Sequence, residues 1–258
     1  MFDWFRQFPD MVLIAAAAAT SLGLVALTGL LPPRDGSEPP SPTSASALQA
    51  YEVIVAFTAI LLSLALVQAV GELRTTEIAV SREAGAINML DRVLTRYGTP
   101  GTVAARPLLA AYGASLVTAE WPAMQRGEDS DATAVRLRAV NRAVQTLEGG
   151  LPSKPVLYAE MLKQLDAMND ARQERLDSNA VGLPRVLWEA AGALSAVLLL
   201  LTCFIRVRSR MITVGGHAMA IAVLATLVFV VDQPFKGQTF IGPDSIERVL
   251  TAIQARTE

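Results

Sequence analysis

Four apolar stretches divide this chain, and they restrict it to folds that cross a lipid bilayer. They run from about Met11 to Leu31, Tyr51 to Val70, Leu187 to Ile205 and Ile212 to Val231. A helix needs about 20 residues to cross the hydrocarbon core. Lipid offers no hydrogen-bond partner, so the backbone of each stretch must satisfy itself, as a helix does. The segment between the second and third stretches, the 113 residues from Glu72 to Pro184, has the composition of a water-soluble domain. The expected fold is an all-α membrane protein with four transmembrane helices and an inserted helical cytoplasmic domain. The expected boundaries are 1–71 for an N-terminal transmembrane hairpin, 72–184 for the inserted domain, 185–233 for a C-terminal transmembrane hairpin and 234–258 for a cytoplasmic C-terminal segment.

The first stretch invites comparison with a cleaved signal peptide. Its apolar run is about 20 residues, against the usual 7–15 of such a core. The one cleavage-like site, Ala45-Ser-Ala47, lies far beyond it, after Pro-rich sequence. A retained helix is therefore expected. Phe2, Trp4, Phe5 and Phe8 precede it and suit the membrane interface. Pro32, Pro33, Pro39, Pro40 and Pro42 make the first connection irregular.

The second helix should not stop at the bilayer. Leu73, Val80, Ile87 and Leu94 recur every seven residues, with Leu90 and Tyr97 three residues after two of them. That spacing places them on one helical stripe, and no proline intervenes before Pro100. Gly98-Thr-Pro-Gly101 marks a break. Further helices are expected over about Ala104–Ala119, Val135–Leu147 and Lys154–Asn179, with Gly127 to Asp131 a polar turn. The inserted segment carries 13 Lys or Arg and 14 Asp or Glu, a mixture that reads first as a solvated helical surface.

Four crossings place both termini and the domain on one side. Arg6, Arg74, Arg82, Arg172, Arg175, Arg185 and Lys236 lie on that side, seven against the four of Arg34, Arg206, Arg208 and Arg210. The bias points to termini and domain in the cytoplasm and to a multi-pass protein of the cell inner membrane.

Composition excludes several classes. A net charge of -2 gives no basic stripe for nucleic acid. Cys203 and His217 are each the sole residue of their type, so an intrachain disulfide is impossible and the common Cys/His zinc sites lack ligands. Gly215-Gly216 has no phosphate-loop lysine. His217 has no nucleophile near it in sequence, and a packed or interfacial histidine is the simpler view. Glu120 has no obvious paired carboxylate in sequence. The sequence thus offers no catalytic residues, no cofactor and no metal.

The apolar stretches are also poor in charge, which weighs against a transporter. Glu189 and Asp232 fall at the cytoplasmic ends of the third and fourth helices, where a pore mouth or a domain junction would sit; each also has the simpler option of pairing with an arginine or facing water. Arg206, Arg208 and Arg210 in the short connection would either concentrate anions at one mouth or anchor helix ends to lipid. Ala15–Ala19 and Gly192, Ala193 and Ala196 permit close helix contacts. Several copies around an axis would be needed to enclose an aqueous route.

Two motifs carry a resemblance. Asp232-Gln-Pro-Phe-Lys-Gly237, followed by Phe240, Ile241 and Pro243, is similar to a D-x-P-F-x-G signature after a last membrane helix. Tyr112 followed by Glu120-Trp121-Pro122 is similar to a central-domain motif, and Arg172, Arg175, Leu176, Leu183-Pro184 and Trp188 match the approach to the third membrane helix. With these, the chain from about Tyr51 onward resembles the bacterial bestrophin-like family of integral membrane proteins. Bestrophins are anion channels built as pentameric rings, so the resemblance implies homo-oligomerisation and ion conduction. Only Asp244 and Glu247 follow Pro234-Phe235 as acids, so calcium gating has no support.

The expected function is a subunit of a homo-oligomeric ion channel with a preference for anions. The partners would be the lipid bilayer, further copies of the chain and inorganic ions. The competing class is a non-conducting membrane scaffold or receptor whose cytoplasmic domain binds a protein or ligand. The candidate pore-mouth or domain-junction residues are Glu120, Trp121, Pro122, Glu189, Asp232, Pro234, Phe235 and Gly237, with Arg206, Arg208 and Arg210 as a candidate charged mouth. Pro234 ends the fourth helix and Gly237 permits a turn. The chain should then fold back along the inserted domain, with Phe235 and Phe240 as anchors and Trp121 and Pro122 in the receiving surface.

Overall fold

The computed structural model describes residues 10–29, 42–147, 153–180, 182–202, 204–205, 211–235 and 241–256, and every helix, contact and absence below refers to these. They form an all-α fold with nine α-helices: α1 Asp10–Gly29, α2 Pro42–Tyr97, α3 Pro100–Ser115, α4 Trp121–Arg126, α5 Asp131–Gln145, α6 Pro155–Ala180, α7 Arg185–Thr202, α8 Met211–Val231 and α9 Asp244–Ala255. A π-turn, Leu116–Glu120, joins α3 to α4. Four of the helices, α1, α2, α7 and α8, are long and apolar enough to cross a membrane.

The chain separates into two compact units. One comprises Met1–Leu73 with Gly182–Thr239, the other Arg74–Val181 with Phe240–Glu258. The boundary falls inside α2. The first, here the membrane unit, holds α1, the first part of α2, α7 and α8. The second, the polar unit, holds the rest of α2, α3 to α6 and α9.

In the membrane unit, α1 packs along α8. Val25, Tyr51, Leu198, Ile205 and Val214 form one buried cluster, supported by Ile54, Leu201, Ala218 and Ile221. Ala65, Ala69, Leu183 and Val228 form another, flanked by Leu187, Trp188 and Val231. The Tyr51 hydroxyl donates to the Val214 carbonyl at 3.2 Å.

In the polar unit the heptad stripe of α2 is the spine. Val80, Ile87, Leu90, Leu94 and Tyr97 are all buried. Leu109 and Tyr112 of α3, Val140 and Val144 of α5, and Met161, Leu165 and Met168 of α6 are buried in the same unit, where α5 packs on α3 and α6 and Tyr112 and Arg175 reach Glu83 of α2. Gly98 ends α2 with φ +70°, and its amide bonds Leu94 O at 3.2 Å, the left-handed stop that glycine adopts without penalty. Helix α3 starts earlier than the apolar pattern indicates. Thr99 caps it reciprocally with Thr102, and Pro100 occupies the first turn, where its missing N–H costs nothing. Ser130 caps α5, accepting from the Thr133 amide at 3.3 Å.

Two details of the sequence-based picture change. The segment expected to end near Ala119 passes through the π-turn into α4, and Pro122 sits in the first turn of that new helix. Arg172 and Arg175, counted among the membrane-side cations, are turned into the protein's interior, Arg175 with 0% exposure. Neither is available to lipid headgroups, which leaves five basic residues against four in the orientation argument.

Candidate functional site

Glu120 closes the π-turn and Trp121 opens α4. The Trp121 amide reaches back five residues to Leu116 O. Pro122, lacking an N–H, gives the next turn no donor, so the register change falls where the helix ladder is already interrupted. The carboxylate of Glu120 is fully buried, and two guanidiniums from one face of α6 meet it. Arg175 Nη2 donates to Glu120 Oε2 at 2.9 Å. Arg172, three residues earlier and so on the same face, donates to both Glu120 oxygens, Nε to Oε2 at 3.3 Å and Nη2 to Oε1.

The sequence shows no partner carboxylate for Glu120, but the fold supplies one. Glu83 of α2 is also fully buried, and Arg175 bridges the two acids, with Nε to Glu83 Oε2 at 2.8 Å. The Tyr112 hydroxyl donates to Glu83 Oε1 at 2.5 Å. Arg175 Nη1 lies 2.7 Å from Met124 Sδ, and its guanidinium carbon stands 4.8 Å from the centre of the Trp121 ring. Two carboxylates and two guanidiniums balance, which is why a charged group survives burial here. Burial alone would lower the Arg175 pKa; the Glu83 and Glu120 charges outweigh it and hold the guanidinium above its ordinary value. Burial, reinforced by the Glu83 charge, pushes the Tyr112 phenol well above 10.0.

Glu83 was legible in principle. It stands three residues after Val80 and seven before Leu90, on the buried register of α2. An acid on an apolar stripe signals a buried partner. A second buried acid, Asp91, lies close to the same stripe. Arg106 Nε reaches it at 2.8 Å and Arg256 Nε at 3.0 Å, while Arg256 Nη2 bonds Asn88 Oδ1 at 2.8 Å. These contacts, with the Trp121 indole donating to Ile241 O at 3.0 Å, hold the C-terminal segment and α9 in the polar unit.

The membrane unit contains the other half of the candidate set. Asp232, one residue past α8, accepts from the Leu183 amide at 2.7 Å, two residues ahead of α7. Gly182 makes the approach possible: a Cβ there would stand 3.2 Å from Asp232 Oδ2. Burial pushes the Asp232 carboxyl above its ordinary value, against the Leu183 amide and the Trp188 side chain, which favour the ionised form. Trp188 meets Phe229 edge-on, with centroids 6.2 Å apart. Phe235 is buried and Glu189 is exposed on α7. Glu120 and Asp232 thus belong to separate units. Gly237, Phe240 and the cluster Arg206, Arg208 and Arg210 lie outside the described residues. His217 stacks at 6.1 Å from Tyr51, and its Nδ1 is buried with no hydrogen-bond partner. Among the described residues no three His, Cys, Asp or Glu side chains converge as a metal site would need.

The arrangement defines a multi-pass helical membrane protein with an ion-paired polar core. A Bestrophin-like domain matches residues 15–246, and the chain belongs to the bestrophin-like family. Its fold is similar to the crystal structure of a bacterial bestrophin homolog from Klebsiella pneumoniae in a point-mutant form, with TM-score 0.68 and 14% identity over 93% of this chain and 99% of that one. A second point mutant of that homolog gives TM-score 0.70 and 12% identity over 92% and 98%. A crystal structure of another membrane-protein mutant gives TM-score 0.71 and 12% identity over 92% and 98%. No curated protein matches the chain.

Proposed function

We propose that this chain is a subunit of a homo-oligomeric ion channel with a preference for anions. The observation that carries the reading is the bestrophin-like match across residues 15–246, together with a fold shared over nearly the full length of bacterial bestrophin-homolog structures. A physical feature supports it. Within the membrane unit α2 leaves Val53, Phe57, Ile60, Leu64 and Val67 exposed at intervals of three and four, a single apolar stripe. Set toward a rotation axis, such a stripe from each copy makes a narrow apolar passage of the kind that gates by dewetting. Facing lipid, the same stripe is inert. Asp232 and Glu189, at the α8 and α7 ends, remain candidates for one mouth, and Arg206, Arg208 and Arg210 for the opposite one, where cations would concentrate anions. We place the termini and polar unit in the cytoplasm, with the protein in the inner membrane.

The test is flux of chloride and of potassium into liposomes holding the purified protein, with subunit number measured in parallel. A closed oligomer that passes chloride faster than potassium, with flux altered by Phe57→Ala and Ile60→Ala, is the expected result. A well-folded oligomer with no flux of either ion across voltage and pH would defeat the channel reading and leave the scaffold reading. A cysteine at Glu128, exposed at the end of α4, should be protected from impermeant thiol reagents in intact cells. Labelling there would overturn the orientation.

A further inference from the structure

Between α1, α2, α7 and α8 the membrane unit holds a cavity of about 180 Å³. Its walls come from Ser21 and Leu24 of α1, Tyr51 of α2, Ser195 and Leu199 of α7, and a run of small residues on α8 that includes Ala222. We infer that this cavity takes up the terminal part of a lipid acyl chain.

The chemistry of the walls selects the occupant. Each hydroxyl at the cavity already spends its proton on backbone. Ser21 Oγ donates to Ala18 O at 2.8 Å, Ser195 Oγ to Ala191 O at 2.8 Å, and the Tyr51 hydroxyl to Val214 O at 3.2 Å. Thr202 Oγ1 likewise donates to Leu199 O at 2.6 Å, so the cavity offers a water molecule only hydroxyl lone pairs and no free donor, while the rest of its wall is apolar. Dry apolar cavities of about 150 Å³ take up benzene-sized molecules, so this one has room for the end of an alkyl chain. Access points the same way. Leu24 and Leu199, on helices α1 and α7, line the cavity and are also exposed on the surface of the membrane-crossing segments. There the surrounding medium is hydrocarbon. The space exists because α8 presents alanines at 218, 222 and 225 where larger apolar residues would fill it. Ser21 and Leu24 lie just past the middle of α1, Ser195 just past the middle of α7 and Ala222 at the middle of α8, so the cavity reaches the depth at which acyl chains end. The inference does not depend on whether the assembly conducts.

The experiment uses the full chain in phosphatidylcholine nanodiscs in which one acyl chain ends in a diazirine. After photolysis, labelled positions are mapped by peptide mass spectrometry. Label should concentrate on α7 and α8 at Ser195, Leu199 and Ala222 rather than on the exposed Ala220. Ala222→Leu fills the space and should lower that label about tenfold, the loss that about 1.4 kcal/mol of excluded binding gives. Ala220→Leu, on the exposed face, should leave it unchanged. Even labelling along the whole exposed surface, or label indifferent to Ala222→Leu, overturns the inference. Where Ala222→Leu fails to fold, xenon NMR on the unaltered protein decides: a saturable xenon site supports the cavity, and its absence overturns it.

Discussion

In the membrane unit Thr58, Ser195, Thr202 and Thr226 each donate to a carbonyl of their own helix, three or four residues back. In the polar unit the strong polar contacts run between elements instead: Glu83 of α2, Glu120 of the π-turn, and Arg172 and Arg175 of α6. The first pattern leaves most helix contacts in the bilayer to shape, with the Tyr51–Val214 and Asp232–Leu183 bonds as inter-element exceptions. The second lets one buried guanidinium fix the mutual register of α2, the π-turn and α6. A hydroxyl that bonds its own helix should therefore be expendable in the membrane unit, while Arg175 should be indispensable in the polar unit.

That contrast breaks most visibly at Arg175. Arg175→Met leaves Glu83 buried with no cation and Glu120 with Arg172 alone, and should destabilise the polar unit by about 3–5 kcal/mol. Arg175→Lys should not restore it, because one ammonium does not reproduce a fork that reaches both acids, Met124 and the Trp121 face. Ser195→Ala in the membrane unit should cost less than about 1 kcal/mol. Denaturant unfolding of the purified variants, with protease resistance of the polar unit, measures both. Equal losses at Arg175 and Ser195 would remove the distinction between the units.

Tyr112 sharpens the comparison at intermediate size. Tyr112→Phe keeps the ring and removes the donor to Glu83, an expected loss of about 1–2 kcal/mol. The pH dependence gives a second readout. The folded phenol holds its proton above 10.0, while the unfolded one releases it there. Above that pH the folded state binds more protons, so stability falls as pH rises through the window between the two values. Tyr112→Phe should flatten that alkaline limb. An unchanged slope would show that Tyr112 is not enclosed with Glu83.

These residues also show what the sequence discloses and what it withholds. The four membrane helices and the long α2 were legible because periodicity and apolar length are local properties. Glu120, Trp121, Arg172 and Arg175 were visible as motif positions, but their convergence was not: it depends on contacts across 52 to 92 residues. Glu83 lies on the predicted stripe, but a charged residue there does not disclose its burial without the cation that meets it. Asp91 has one cation nearby in sequence, Arg106, and a second, Arg256, 165 residues away that only the fold supplies. The start of α3 at Pro100 departs from the apolar pattern because the Thr99 cap outweighs it, and the π-turn leaves no periodic trace because it adds one residue to a single turn.

The smallest expected effect separates two uses of a carboxylate. In the polar unit the acids meet guanidiniums; at Asp232 the partner is a neutral amide, so an oxygen acceptor should suffice. Asp232→Asn keeps an acceptor for the Leu183 amide and removes the cost of burying a charge, so stability at neutral pH should change by less than about 1 kcal/mol. Asp232→Ala removes the acceptor and should cost more, about 1 kcal/mol with water able to reach the half-buried site. The sign of the pH effect follows from the raised pKa. Above the ordinary 3.8 the folded state keeps its proton longer than the unfolded one. The stabilisation is fully present below that pH and is lost as pH rises through the folded value, and Asp232→Asn should abolish this slope. Thermal unfolding of both variants from pH 3 to pH 8 tests it. If Asp232→Asn proves as damaging as Asp232→Ala, the charge itself is what the site requires, and the contrast between the two units fails at Asp232.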